Sequence, residues 1–382
     1  MILIAAAMMF GAACQQASET TTADTTATPR MESDVMKALD AKLEFPSGIA
    51  IDSSGRIYVA EREGFRVRRI DLDKGEIATV AGLGVPGYNA DGIPAVDATI
   101  GAPESLEFDS EGDLYIGERG AYRVRRIDMK TGLISTYAGN GRRGFEGDGG
   151  PAAEARISNP YGLAFDANDN LFIADTENQK IRMVDRASGI ITTVAGTGEK
   201  GFDEGGGVAL DAKLNRPHVC VVDPHGNLVI GDSFNQRIRR VDAKTGAIET
   251  IAGSGEMGGP VVGTMARESP FVFFGALVYD AGGDLLLTSL DSRIVKIGSE
   301  TGVIELVAGR GGEAFHGDGG PAIEAGLNLP YGMAIDADGS IVFSDAKNNR
   351  VRRIVKATGI IETIAGGGEV QGIVVRPKVE EE

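Results

Sequence analysis

The chain is a succession of short apolar runs separated by clusters of Asn, Asp, Gly and Ser. Residues 159 to 196, NPYGLAFDANDNLFIADTENQKIRMVDRASGIITTVAG, show the pattern most plainly. The apolar runs are GLAFD, LFIAD, KIRMVD and IITTVAG, and between them stand Ala-Asn-Asp-Asn, Thr-Glu-Asn-Gln and Arg-Ala-Ser-Gly. Asn, Asp and Gly tolerate positive φ or close Asx-turns, so three tight turns join four short strands into an antiparallel meander. Ile57, Tyr58 and Val59 of an earlier copy read as buried on both faces of such a sheet. A sheet apolar on both faces needs a neighbour on each side.

The same grammar recurs along the chain. An Ala-Gly closing the fourth run places Gly82, Gly139, Gly196, Gly253, Gly309 and Gly366 at spacings of 57, 57, 57, 56 and 57 residues. Six such units set radially give every sheet two neighbours. The expected fold is therefore all-β, a six-bladed β-propeller of four-stranded antiparallel blades. An open solenoid would need polar terminal repeats, and the first and last copies are as apolar as the others. The phrases PYGLAFD, LFIADTENQKIRMVD and ITTVAG resemble NHL repeats, and the resemblance covers about residues 45–366. Copy five, FFGALVYDAGGDLLLTSLDSRIVKIG, lacks the Pro, the Asp after the second strand and the Asn, so an irregular turn is expected there. No swapped strand is demanded for closure. The tail Ile373–Val379 is expected to cover the seam as an edge strand.

Residues outside the repeats suggest a location. Met1 to Ala13, MILIAAAMMFGAA, is uncharged and apolar, too short to span a bilayer and suited to an export signal. The small residues Gly11-Ala12-Ala13 before Cys14 resemble a bacterial lipobox, which implies lipidation of Cys14; the plainer reading is a secretion signal. Gln15 to Arg30 is Thr- and Ala-rich, cannot bury enough surface to offset its ordering entropy and reads as a tether. The expected division is a signal over 1–14, a disordered tether and lead-in segment over 15–44, the propeller over 45–366 and a tail over 367–382. The expected location is extracytoplasmic, in a bacterial cell envelope, membrane-anchored or secreted.

Composition removes several functions. With 38 Lys and Arg against 55 Asp and Glu, the net charge is −17. That sign is wrong for a general nucleic-acid binder, which must replace counterions. Two cysteines do not make a disulfide scaffold. Mid-strand Cys220 reads as a buried inert thiol. The RVRRID phrases at Arg66 and Arg123 look like a basic stripe, but each copy closes its second strand with Glu61, Glu118, Asp175, Asp232, Ser289 or Asp345. Pairing of strands two and three predicts charge pairs inside each blade.

Two features remain as candidate sites. The long connections between copies carry Asp91, Asp148 and Asp318 in NADGIPA and GDGGPA phrases. A structural role, as an Asx-turn or cap, outweighs a calcium role, because calcium wants six or more oxygens. Asp148 and Asp318 are retained as candidate ligand-binding residues. The second feature is the Pro-x-Gly pattern that opens the first strand, complete in copies one, three and six, in which the position x is Ser47, Glu104, Tyr161, His218, Gly275 and Tyr331. First strands of a propeller line its central channel, so these positions should form one ring at the mouth on the long-loop face. A structural ring would be repetitive, and this one is chemically mixed, as a ligand site requires. Glu104, His218 and Tyr331 should stand roughly 120° apart in six-fold symmetry. Pro217-His218 is similar to the Pro-His of peptidylglycine amidating lyases, whose propellers hold zinc with three histidines. One of the three matches, which does not support a zinc site.

The sequence contains no nucleophile elbow, HExxH or P-loop phrase. The leading expectation is a non-enzymatic binding scaffold for an envelope protein, peptide or glycan at the loop face, needing no cofactor and joined to the membrane only through its lipid anchor. A metal-assisted lactonase or lyase with its site at the channel mouth is the alternative. Gluconolactonases and streptogramin lyases resemble the chain at the level of the propeller only. A purely structural envelope protein is the third reading.

Overall fold

The computed structural model describes residues 31–203 and 206–367. Each repeat folds as a meander. In blade 3 the strands are Pro160–Phe165, Leu171–Asp175, Lys180–Val184 and Ile190–Ala195, paired antiparallel in sequence order. Six such sheets occur. The turns between strands one and two are Asx-turns: Asp166 Oδ1 accepts the N–H groups of Asn168 and Asn170, each at 2.9 Å. Copy five keeps its four strands, and as expected its strand-two to strand-three turn lacks the short 3₁₀ helix present in copies two, three, four and six.

The innermost strands touch their neighbours all the way round, with Pro46–Ile51 of blade 1 against Pro330–Ile335 of blade 6, so the ring is closed. The Pro-x-Gly phrase makes this approach possible. A Cβ on Gly332 would lie 2.1 Å from the Ser47 carbonyl oxygen, so only glycine lets blade 6 come so near blade 1. The core is divided into packed wedges between adjacent blades, as two-sided apolar strands require. Ala174, Ile181 and Ala195 of blade 3, for example, meet Cys220, Leu228 and Ile230 of blade 4. Ile57, Tyr58 and Val59 are buried.

The lead-in segment belongs to the ring, contrary to the boundary drawn at residue 45. Ser33–Lys37 pairs with Glu76–Ala81 as a fifth, outer strand of blade 1. The long connections do the same for blades 2, 3 and 4 through Ile93–Pro94, Gly150–Pro151 and Gly207–Val208. Three-residue 3₁₀ turns follow at Ala38–Asp40, Ala95–Asp97, Ala152–Glu154, Ala209–Asp211 and Ala322–Glu324. The carbonyl of the first alanine accepts the N–H of the preceding blade's final glycine. The distance is 3.0 Å for Gly82 to Ala95 and 3.1 Å for Gly366 to Ala38. That last bond, with Ala38, Ala41 and Leu43 packed on Val351 and Ala365 of blade 6, closes the seam. The tail strand expected there, Ile373–Val379, lies outside the described residues, as do the segments expected to be an export signal and a tether, with Cys14.

The paired charges expected within blades are present. Arg352 of blade 6, fully buried, lies 3.2 Å from Asp345 and 2.7 Å from Asp318. Its remaining N–H groups donate to the Gly326 and His316 carbonyls at 2.8 and 3.1 Å. Phe315 covers the guanidinium at 5.1 Å. Blade 3 repeats the scheme with Arg182, Asp175 and Asp148, and blade 2 with Arg125, Glu118 and Asp91.

Candidate functional site

The channel mouth is built by one backbone device used repeatedly. Phe45, Ala102, Asn159, Arg216 and Leu329, each preceding a proline, take left-handed φ between 48 and 56°. Such a conformation is costly for these residue types and is held by hydrogen bonds. The Phe45 carbonyl accepts the Arg62 N–H at 3.1 Å, and the Ala102 carbonyl that of Arg119 at 3.2 Å. The carboxylate closing strand two holds the residue just before: Asp175 Oδ1 accepts the Ser158 N–H at 2.6 Å and Asp345 Oδ1 the Asn328 N–H at 2.7 Å. The proline then starts the inner strand, and the residue after it stands at the ring position.

Glu104, Tyr161, His218, Gly275 and Tyr331 line a central cavity of about 400 Å³. Ser47 does not. It is fully buried, and its hydroxyl donates to the carbonyls of Pro103 and Ala60 at 3.0 and 3.2 Å, which ties blade 1 to blade 2. Asp148 and Asp318 are also elsewhere. They sit on the connections, bound to Arg182 and Arg352, and accept the Thr193 and Thr363 hydroxyls at 2.6 Å. These aspartates serve as ion-pair latches, a structural role other than the Asx-turn or cap expected of them.

The mouth has two halves. Blades 3, 4 and 5 supply an aromatic wall. The Tyr161 and His218 rings lie 4.6 Å apart at a 40° tilt, and His218 meets Phe273 at 6.3 Å and Phe234 at 6.0 Å. Blades 1 and 2 supply charge. Arg62 stacks on Phe45 at 3.5 Å and reaches Glu104 at 3.6 Å. Arg119 donates to the Tyr161 hydroxyl at 2.8 Å, joining the two halves. Arg216, over Phe234 at 4.9 Å, is paired with Glu177.

Glu104 is the unusual member. It is 2% exposed, and neither carboxylate oxygen has a hydrogen bond. Burial raises its pKa, opposed by Arg62, by the neighbouring Tyr331 hydroxyl and by Arg119. The Tyr331 phenol is pushed well above its ordinary value by burial and by Glu104. His218 is lowered to about 4, chiefly by burial and then by the Arg216 charge, so its imidazole is neutral at physiological pH. Deeper in the channel, Glu107 shares its ring position with Ala50, Ala164, Val221, Val278 and Ala334. Desolvation raises its pKa to about 8.

Sequence reasoning missed Arg62, Arg119, Arg216, Phe234 and Phe273. The signal was present in neighbouring columns of the repeat. The residue after the strand-two acid is Arg62, Arg119, Thr176, Ser233, Leu290 or Ala346, as varied as the ring itself. Elsewhere, three acids that cluster closely enough to hold a cation are Asp109, Glu111 and Asp113 on the opposite face. All three are engaged: Asp109 Oδ1 accepts the N–H groups of Glu111 and Asp113, Asp113 pairs with Arg126, and Glu111 pairs with Arg186 at 3.2 Å.

Comparison with known proteins agrees with this architecture. The NHL repeat family matches residues 43–70, and the teneurin NHL domain family matches residues 291–381. NHL repeat-containing protein 2 of Homo sapiens is 29% identical over 270 residues, covering 63% of this chain and 37% of that protein. The chain thus spans little more than a third of the length of such relatives. Among solved structures, an auxiliary nutrient binding protein from Bacteroides ovatus superposes with a TM-score of 0.57 at 17% identity, covering 85% of this chain and 70% of that one. A streptogramin B lyase superposes at 0.52 and 16% identity, covering 87% of each chain. At these identities the superpositions establish the fold alone.

Proposed function

We propose that this chain, an NHL-repeat propeller, is a non-enzymatic binding scaffold whose ligand, a glycan, a peptide or a segment of another protein, is held at the channel mouth. Glu104 carries the reading. A buried carboxylate without hydrogen bonds costs stability unless something supplies donors, and here it faces a cavity flanked by cations and an aromatic wall. Large apolar surface with a few convergent polar groups is what small-ligand sites share. The auxiliary nutrient binding protein adds a binding protein of the same fold. The reading needs no cofactor.

Glycan and peptide arrays probed with the wild type and with Glu104→Gln test it. The expected result is retention of at least one arrayed class by the wild type and its loss in the variant. Identical array profiles for the two proteins would overturn the reading.

The propeller is further proposed to stand outside the cytoplasm of a bacterium, held by a lipid on Cys14. What supports this is the apolar run and the small residues before that cysteine. Incorporation of labelled palmitate by the wild type, lost in Cys14→Ser, is the expected result.

A second reading, a metal-assisted lyase or lactonase, is favoured by one observation: the raised carboxyl of Glu104 lies beside the Tyr331 phenol, as acid–base chemistry requires. Metal content of the purified protein that is unchanged in both Glu104→Ala and His218→Ala would sink it.

A further inference from the structure

The mouth gathers guanidinium groups on a chain that is acidic as a whole. The protein carries a net charge of −17. At the rim, however, Arg62 and Arg119 flank Glu104, whose ionisation burial disfavours, and Arg62 also reaches the exposed Glu63 at 3.4 Å, which leaves Arg119 as the cation without a carboxylate hydrogen bond. Glu177 is engaged by Arg216 and lies 4.0 Å from Arg143. Arg119 donates to a phenol, the Tyr161 hydroxyl, and has further N–H donors to offer. A guanidinium fork with open donors beside an aromatic face suits a carboxylate.

Glu104 adds the opposite requirement. Neither of its oxygens has a well-formed hydrogen bond, although Arg62 at 3.6 Å and the Tyr331 hydroxyl lie against it, so a fitting ligand would add donors on one side while accepting on the other. A vicinal diol supplies two O–H groups at the spacing of a carboxylate's two oxygens. A peptide backbone presents one N–H per residue and meets half of the demand. Inorganic phosphate or sulfate offers acceptors for Arg119 but no apolar surface for the tilted Tyr161 and His218 rings. A pyranose ring presents a C–H face to such rings.

We infer that the channel mouth binds an acidic carbohydrate, a sugar bearing a carboxylate. The carboxylate sits on Arg119 and Arg62, two ring hydroxyls donate to Glu104, and the C–H face lies against Tyr161 and His218. This rests on the binding reading above and names its ligand class. The neutral imidazole of His218 belongs with the aromatic wall in this arrangement, and the positive charge comes from blades 1 and 2.

Isothermal titration calorimetry on the full chain, with trigalacturonic acid, its neutral counterpart galactotriose and trialanine as probes, tests the inference. The acidic sugar is expected to bind at least tenfold more tightly than the neutral one. Arg119→Ala should weaken the acidic sugar tenfold or more and leave the neutral sugar within twofold. Glu104→Gln should weaken both sugars. Arg119→Lys, which keeps the charge but not the fork, should recover only part of the loss. Thermal melts of each variant within a few degrees of the wild type establish that they fold. Equal binding of acidic and neutral sugars, an Arg119→Ala variant that binds as the wild type does, or no sugar binding at all would overturn the inference. Binding of trialanine that is lost in Glu104→Gln, with no sugar bound, would overturn the sugar and leave the scaffold reading standing.

Discussion

Arg352 in blade 6 and Glu104 at the channel mouth are both buried ionisable groups, yet their surroundings differ in kind. Arg352 has two aspartates, two carbonyls and an aromatic cover. Glu104 has one guanidinium at 3.6 Å and no hydrogen bond. The first arrangement, an arginine between two acids, recurs in blades 2, 3 and 6, and the second occurs in a column that holds five residue types in six blades. Repetition with satisfaction marks a group that holds the fold. Variation with an unmet demand marks a group that awaits a partner. Blades 1 and 2 lie between these cases: where Glu61 and Glu118 replace aspartate, one oxygen of each lacks a hydrogen bond.

The sharpest break of this contrast is Arg352→Ala. It strands Asp345 in the core, and loss of a buried pair's partner costs about 3–5 kcal/mol. Chemical denaturation should show that loss, with mouth binding unchanged just below the transition. Glu104→Gln should act oppositely, removing a poorly solvated charge and raising stability by ~1 kcal/mol while binding is lost. A fall of similar size would show that Glu104 is a member of the framework.

Glu107 sharpens the comparison through pH. Its pKa rises from the ordinary 4.5 to about 8 in the fold. The unfolded chain releases this proton first, so stability should decline as pH rises from about 4.5 to 8. Glu107→Gln should flatten that limb, melting a few degrees above the wild type at pH 9 and equal to it at pH 4. His218 works in the other direction. Its pKa falls from 6.5 to about 4, so the unfolded state takes up the proton first and stability is lost as pH falls from 6.5 towards 4. The wild-type minus His218→Gln difference in Tm should shrink across that window. The smallest effect belongs to Asp148→Asn. That aspartate is 41% exposed in its side chain, and the buried Arg182 keeps Asp175 as a partner when it is neutralised, so the loss should stay at ~1 kcal/mol.

The ring was legible because a period repeated six times at 56 or 57 residues leaves no other architecture for two-sided sheets. The ring column was legible because identical backbone grammar carries unlike side chains there. That the ring closes was read, but the segment that closes it was not, although its signal is plain. Residues 38–43 and 209–214 are the same hexapeptide, ALDAKL, so the lead-in is the connecting segment of a repeat moved to the front of the chain. The latches of Asp148 and Asp318 were not readable as ion pairs, because nothing local tells which strand a twenty-residue connection will cross. Arg62 and Arg119 were overlooked because a turn residue following a conserved-looking acid reads as solvent-facing until the turn is seen to overhang the channel.

The seam has a temporal consequence. Ala38, Ala41 and Leu43 leave the ribosome among the earliest residues of the ring, yet their partners in blade 6, ending at Gly366, are among the last. Five blades can form while those three apolar side chains stand unclaimed. The final act of folding is then a clasp between the oldest and the youngest parts of the polypeptide, and pairings so distant along the chain are slow to find. Until it fastens, Ala38, Ala41 and Leu43 leave an apolar face of blade 1 open to solvent.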